Sequence, residues 1–512
     1  MDPLVAEAAL ALHEANNVVR LDTGQRNLAL TFTTSPARLA VGIGPAGAGK
    51  TSAMRAFTDC WTAAGGRVVA LAASSKAAKV LGAELGTRAE NLHKFLHEQR
   101  SRTDGADDPW FALSDGDAVL VDEAGMAGTL QLAELMRVAE RAGAVVRLLG
   151  DPAQLAAVAA GGALRLLDAE VGALRLDTLH RFSDPAEAEA TLRLRAGDAG
   201  GVEFYLDNDR VRAGSRDAML EAAYDGWAAD MAAGRTSILL AATSADVTSL
   251  NARARLERVA RGQVDEAGVD LRDGNTAGVG DWVVTRANVR TLTCHRGRDW
   301  VKNGDLWRVT RRHRDGSLSV RHLEHGGRVR LPDGYVGEAV ELGYASTSHR
   351  AQGTTVDTAH PLVTPEMTRE ALYVASTRGR DRTNFYVATE DLLGVGCDTE
   401  PDPARDARQV LAGVLRRVGG EDSATATIRS TLDDATRLPA LVARYDHVRT
   451  LAARDALTAA ASQALPDPLR ARALNDPGTD RLALALADAS GRGASPAQVL
   501  RNAADLADLS NA

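Results

Sequence analysis

The chain reads as an α/β protein with two parallel-sheet units, a small β-rich insert in the second, and a helical C-terminal region. Three observations predict this. Short apolar runs such as ARLAVGI, DAVLV and AVVRLL alternate with stretches of helical spacing, the pattern of strand–helix–strand crossovers. That grammar occurs twice, over about residues 18–170 and again over 171–277 with 341–395. Between the parts of the second unit, GDWVVTRANVRTL, WVKNGDLWRV, SLSVRHL and GRVRLP predict short strands over 278–340.

Residues 1–17, MDPLVAEAALALHEANN, form an acidic amphipathic segment read as an N-terminal helix. It lacks the basic start and apolar centre of a secretory signal. No run of 18 apolar residues occurs in the 512, so no membrane span is expected. Cys60, Cys294 and Cys397 are isolated, which argues against a disulfide framework or a zinc site and fits a cytoplasmic location. The net charge of −8 argues weakly against a nucleic-acid partner, but it is uneven. From Arg286 to Arg330 there are twelve Arg or Lys against four Asp or Glu. A local basic module of this kind suits either a DNA-binding face or a solvated surface.

The first chemistry lies in GPAGAGKTS, residues 44–52, between a predicted strand and a predicted helix. Gly44, Gly47 and Gly49 let backbone amides close round phosphate oxygens, and the helix N-terminus adds the positive end of its dipole. Lys50 is placed to reach the outer phosphates of a nucleoside triphosphate, with Thr51 and Ser52 beside it and the Thr51 hydroxyl as a Mg²⁺ ligand. The next strand ends in Asp122 and Glu123, at the carboxyl edge where open α/β sheets bind ligands. Asp122 is the expected metal ligand and Glu123 the residue that activates water. A third strand ends in GDPAQ, offering Gln154 as a γ-phosphate sensor. Upstream, Ser74, Ser75 and Lys76 follow a strand, in position to touch a phosphate backbone.

The second unit repeats the pattern in SILLAATSADVTSLNARAR, VELGYASTSHRAQGTTVD and ALYVASTRGRDRTNFYVAT. Two such units predict a nucleotide held between them. Arg181 in LHRF and Arg378 in STRGR are the candidate arginine fingers, with Arg380 the rival of Arg378. His322 and His325 in HLEH are expected as surface residues of the insert. Trp282, Trp300 and Trp307 are expected in its core first and as DNA-stacking residues second.

In this order, GPAGAGKTS, LVDEAG, LLGDPAQL, LHRF, YASTSHRAQG and YVASTRGR resemble the motifs of superfamily 1 helicases over about residues 18–390. The resemblance implies two RecA-like domains, ATP and Mg²⁺ as cofactors, and single-stranded and tailed duplex DNA as partners. LDTGQRNLAL resembles the Q motif, in which Gln25 would read adenine. SSKAAKVL and NLHKFL resemble strand-contacting motifs, implicating His93; Thr243 and His349 are the strand-contacting candidates of the second domain, and Gly353 is expected to bind the nucleotide. The insert resembles the SH3-like 2B insert of RecD/Pif-like helicases, which move 5′ to 3′. VKNGD, HRAQGTTVD and LYVASTRGR look most like the helicase part of MobF-type conjugative relaxases of the TraI/TrwC kind. Their nicking domain carries a three-histidine motif, which this sequence lacks. A helicase part without nicking is therefore expected, with a relaxase nicking domain or conjugation machinery as candidate partners. The alternatives are a repair-type helicase and a non-catalytic strand-binding module. Serines stand in ALAASSKAA where the family has a Thr-Gly pair. Residues 98–116 are the candidate 1B pin, with Trp110 and Phe111 as base-stacking candidates, and 396–512 the helical C-terminal region.

Overall fold

The computed structural model describes residues 1–17, 20–101, 108–156, 162–389, 403–420 and 424–509. The chain divides into two compact units, Met1–Ser423 and Ala424–Ala512.

In the larger unit, strands β1 (Leu39–Ile43), β2 (Val68–Ala72), β3 (Ala89–Asn91), β4 (Ala118–Asp122), β5 (Val145–Gly150) and β6 (Leu174–Arg175) form one sheet in the order β3-β2-β4-β5-β1-β6. Every pairing is parallel. Helices cover both faces, so these strands are buried on both sides and read as continuous apolar runs. On one face Leu10, Leu28, Phe32 and Phe57 close the core; on the other Phe95, Leu132 and Leu135 do so. Leu10 belongs to the N-terminal helix Pro3–Asn16, which makes that helix part of this domain. β6 lies beyond residue 170 yet pairs with β1, so the first domain ends later than expected.

Arg147 on β5 is fully buried, and among the described residues no carboxylate pairs with it. Its fork donates to the carbonyls of Phe32 (2.7 Å), Ser35 (3.1 Å), Ala37 (3.0 Å) and Val146 (3.1 Å), tying the turn before β1 to the sheet. Burial pushes this guanidinium down to about 10.

The second domain has strands β7 (Val211–Gly214), β8 (Ser237–Ala241), β18 (Ala345–Thr347), β19 (Val356–Val363), β20 (Gly379–Thr383) and β21 (Phe385–Ala388). The order is β18-β8-β19-β21-β7, with β20 also on β19, all parallel. Helix Pro403–Arg416 puts Val410, Leu411, Val414 and Leu415 into this domain's core. It is therefore part of the second domain and not of the C-terminal region assigned from 396.

Within the second domain lies the insert. A short hairpin, β9 (Val269–Asp270) with β10 (Thr276–Ala277), leads into β11 (Trp282–Thr285). Strands β14 (Leu306–Arg312), β15 (Leu318–His322), β16 (Arg328–Leu331) and β17 (Val340–Leu342) join β11 in the order β16-β15-β14-β11-β17. A second hairpin, β12 (Val289–Cys294) with β13 (Asp299–Val301), is attached to it. Trp307, Val309 and Val320 fill its interior, continuous with Trp227 and Tyr344 of the second domain. Trp307 is wholly buried, Trp282 stacks on Tyr344, and Trp300 lies beneath Arg290 and Lys302. His322 is buried, against Trp307 and stacked 3.8 Å from the His325 ring, which corrects its expected surface position.

At the far end of the insert, Asp299 meets Lys79 of the first domain (2.5 Å) and its own Lys302. Cys294, Asp299 and His325 approach one another there as metal ligands would. Two ammonium groups already neutralise Asp299, and His325 Nδ1 accepts the Gly327 N–H (3.1 Å). The group is an ion-paired clasp between insert and first domain.

The smaller unit contains helices Ala424–Thr436, Leu438–Ala464, Asp467–Asn475, Thr479–Gly491 and Pro496–Leu509. Ala453, Leu457, Ala461, Ala483, Leu486 and Leu500 form its core.

Candidate active site

The phosphate loop leaves β1, and the Gly44 N–H donates to Gly150 O (3.1 Å), fixing the loop beside the end of β5. Gly47 and Gly49 have φ of 86° and 70°. A side chain at Gly47 would run into Arg181, and one at Gly49 into the Gln25 amide, so both close approaches require glycine. Gly49 caps helix Lys50–Ala63, whose first turn presents Thr51 and Ser52. Lys50 Nζ donates to Gly44 O (2.9 Å) and Pro45 O (3.2 Å), across the loop.

Gln25 closes one side of the loop. Asp22 and Gln25 form a capping box at the start of helix Thr23–Thr34. The Gln25 amide also donates to Ala48 O (3.3 Å), placing it against the loop where the Q motif was expected.

Opposite stand the carboxylates. Glu123 follows β4 with φ 50° and ψ 42°, a left-handed conformation costly for a non-glycine residue. Across that turn the Asp122 Oδ1 accepts the Glu123 N–H (2.9 Å). Burial, then the neighbouring Glu123, raises the proton affinity of the Asp122 carboxyl; Lys50 opposes this.

The second domain closes the site. Arg378 is 1% exposed. It donates to Val374 O (2.8 Å), Thr354 O (3.0 Å), Ala351 O (3.2 Å) and Thr377 Oγ1 (2.5 Å). Arg181 donates to Thr377 O (2.9 Å). Burial and then the Arg181 charge push Arg378 down to about 9, with Glu123 opposing. Arg181 is likewise lowered by burial. The half-buried Arg181 and the buried Arg378 thus meet at Thr377, with Arg181 against Gly47 of the phosphate loop, an arrangement that fits an anion beside them. Arg380 instead is exposed and ion-paired with Asp357, which favours Arg378 as the inward arginine.

Three residues, Gln352, Tyr373 and Arg195, make contacts here that are not legible in the sequence. Gln352 Nε2 approaches Glu123 Oε2 at 3.4 Å. Tyr373 OH accepts the Ala46 N–H (3.1 Å) and donates to Asp151 Oδ2 (2.9 Å). Arg195 pairs with the same Asp151 (2.7 Å), whose Oδ2 also receives a long bond from Gln154 Nε2 (3.4 Å). Phosphate loop, GDPAQ strand and STRGR helix are therefore joined through one tyrosine. Gln352 and Tyr373 lie inside YASTSHRAQG and YVASTRGR, where no local feature marks them. The buried Gln154 Oε1 and Gln352 Oε1 have no hydrogen-bond partner among the described residues, so each can accept from water at the site.

The expected DNA contacts lie at helix starts and at partly or fully exposed positions. Ser74 caps helix Ser75–Leu85, and Thr243 caps Ser244–Ala260. Lys76 is part-exposed, His93 exposed and His349 half-buried, its proton affinity lowered by burial. Gly353 has φ 80° in the turn after β18. Trp110 packs on Phe95 and Phe111 under Arg88 (4.5 Å), so its ring is anchored at the core rim and not presented as a free plate. The candidate pin falls partly on 102–107, outside the described residues.

The AAA domain family matches residues 20–216. The probable conjugal transfer protein TraA of Sinorhizobium fredii is 33% identical over 399 residues, covering 77% of this chain and 34% of that protein. This chain thus spans about a third of the length of that relative. The ATP-dependent RecD2 DNA helicase of Deinococcus radiodurans is 28% identical over 363 residues, 67% of this chain and 46% of that protein. Among solved structures, the Bacteroides Pif1 helicase in complex with ADP-AlF3 and single-stranded DNA aligns with a TM-score of 0.47 at 18% identity, over 72% of this chain and 92% of that one. On its ordered motifs and its TraA and RecD2 relatives, the chain belongs to the RecD/Pif-like branch of superfamily 1.

Proposed function

We propose that the chain is an ATP-dependent 5′–3′ DNA helicase or single-strand translocase, the helicase part of a conjugative relaxase. The observation that carries this is the pair of arginines that meet at Thr377, Arg181 lying against Gly47 of the phosphate loop and Arg378 buried behind it, with Gln352 of the same domain reaching Glu123. In this reading Lys50 and the loop amides bind the outer phosphates of ATP. Thr51 and Asp122 hold Mg²⁺, which neutralises phosphate charge. Glu123 accepts the proton of the attacking water, with Gln154 and Gln352 orienting it. Arg181 and Arg378 stabilise charge on the transferring phosphoryl group. Gln25 contacts the adenine. Tyr373 and Gln352 report the nucleotide's state to the second domain, and a single strand steps across Ser74, Ser75, Lys76, His93, Thr243 and His349. The likeness to RecD2 supports a second reading, a stand-alone helicase outside conjugation.

The test is the ATPase rate with and without single-stranded DNA, for the unaltered chain, Lys50→Ala and Glu123→Gln. DNA should stimulate the unaltered chain, and Lys50→Ala should abolish turnover. Glu123→Gln should bind ATP but turn it over about 10²–10⁴-fold more slowly. Normal turnover in Glu123→Gln would remove Glu123 from its role. Duplexes tailed at either end then read the direction.

A further inference from the structure

The sheet of the insert has one face in the core and one in solvent. On the solvent face the register sets Arg308 opposite Arg321, and Arg321 opposite Arg328. All three are exposed. In the next row Arg311 stands opposite Ser319, and Ser319 opposite Arg330. Directly opposed side chains start about 4.5–5.5 Å apart, and like charges there work against strand pairing. Among the described residues no carboxylate lies within ion-pair distance of Arg308, Arg321 or Arg328, although the chain has more acidic than basic residues. Only Arg330 of this face is paired, with Asp315 (2.5 Å). Three neighbouring guanidiniums, with Glu324 beside Arg308 and Arg321 but beyond ion-pair distance, match a ligand with closely spaced negative charges.

The chemistry of the face selects among polyanions. Among the described residues it presents no Phe, Tyr or Trp ring, since Trp307 is buried and Trp282 is stacked on Tyr344; its one imidazole, His313, is tied edge-on to Ser319 by a hydrogen bond (2.9 Å). Surfaces that hold single strands add aromatic plates for the unstacked bases. With guanidiniums as its cationic groups and no large ring to take an unstacked base, the face is suited above all to phosphate, the group a duplex presents along its whole exterior. We propose that the solvent face of β14–β16 grips the phosphate backbone of duplex DNA, as a second nucleic-acid site distinct from the single-strand track. Its purpose rests on the DNA-motor reading above; its binding chemistry does not require ATP turnover.

The test uses the full chain carrying Arg308→Gln, Arg321→Gln and Arg328→Gln together, and a Lys counterpart at the same positions. Binding to a blunt duplex and to a single strand of equal length is measured by fluorescence anisotropy without nucleotide, across about 50–200 mM salt. Losing three phosphate contacts should lower the slope of log K against log salt by roughly 3 for the duplex, removing about a 40-fold salt effect over that range. Single-strand binding and strand-stimulated ATPase should stay unchanged, the Lys variant should keep most of the slope, and melting temperature should hold or rise as repulsion is relieved. Unchanged duplex binding, equal losses on both DNAs, or a lower melting temperature in the Gln variant alone would each overturn the proposal. A chain without DNA-stimulated ATPase that still shows the duplex-specific loss would sink the motor reading and leave this one standing.

Discussion

Asp122 is a carboxylate that burial and Glu123 make reluctant to ionise. A metal binds the ionised form and must displace the proton where one is present. The sign follows: Mg²⁺-dependent nucleotide binding should weaken as pH falls from about 8 to 6, with protons released on binding. Asp122→Asn should remove both effects, and titration calorimetry in buffers of different ionisation enthalpy reads them. A flat pH profile in the unaltered chain would take Asp122 out of the metal site. Tyr373 carries a second prediction at this scale. Tyr373→Phe leaves the buried Ala46 N–H without its acceptor, at about 1–3 kcal/mol. That should weaken ATP binding roughly tenfold without touching any group that meets the reacting atoms. Undiminished affinity would make the tyrosine a bystander.

Among the elements, β5 depends on a residue that hydrophobic patterning cannot see. Arg147 in AVVRLLG looks like an interruption of a buried strand, yet it is the donor that satisfies carbonyls of the preceding turn. Arg147→Met should destabilise the first domain by about 3 kcal/mol, since several buried acceptors lose their partner. Arg147→Lys should restore little, because one ammonium cannot replace the planar fork; thermal melts with both variants check this. The same contrast explains what the sequence made legible. The phosphate loop, the acid pair and the strands carrying them follow from local grammar: glycines where φ is positive, carboxylates at strand ends. Gln352, Tyr373 and Arg195 did not, because their roles arise from pairings hundreds of residues apart along the chain or from an unremarkable position on a helix. The end of the first domain was misjudged because β6 is only two residues long. Helix Pro403–Arg416 was assigned outward because amphipathicity shows that a face is covered, but not by which domain.

At the scale of the whole larger unit, the two attachments of the insert differ in strength. At one end it shares a hydrophobic core with the second domain, through Trp227, Trp282 and Tyr344. At the other it meets the first domain through Lys79–Asp299, in which the lysine is half exposed, and a longer Arg290–Glu90 pair (3.9 Å). Such a pair contributes at most about 1 kcal/mol and is screened by salt. Lys79→Ala should therefore raise hydrogen exchange in the hairpin 289–301 while leaving β11 and β17 protected. Equal protection in both would mean that the clasp is not the releasable end. With a fused root and a detachable tip, the insert has the mechanics of a cantilever. Rotation of the second domain is magnified along its length, so the reach of the β sheet, as much as the angle of closure, would set how far a gripped duplex is carried with each nucleotide.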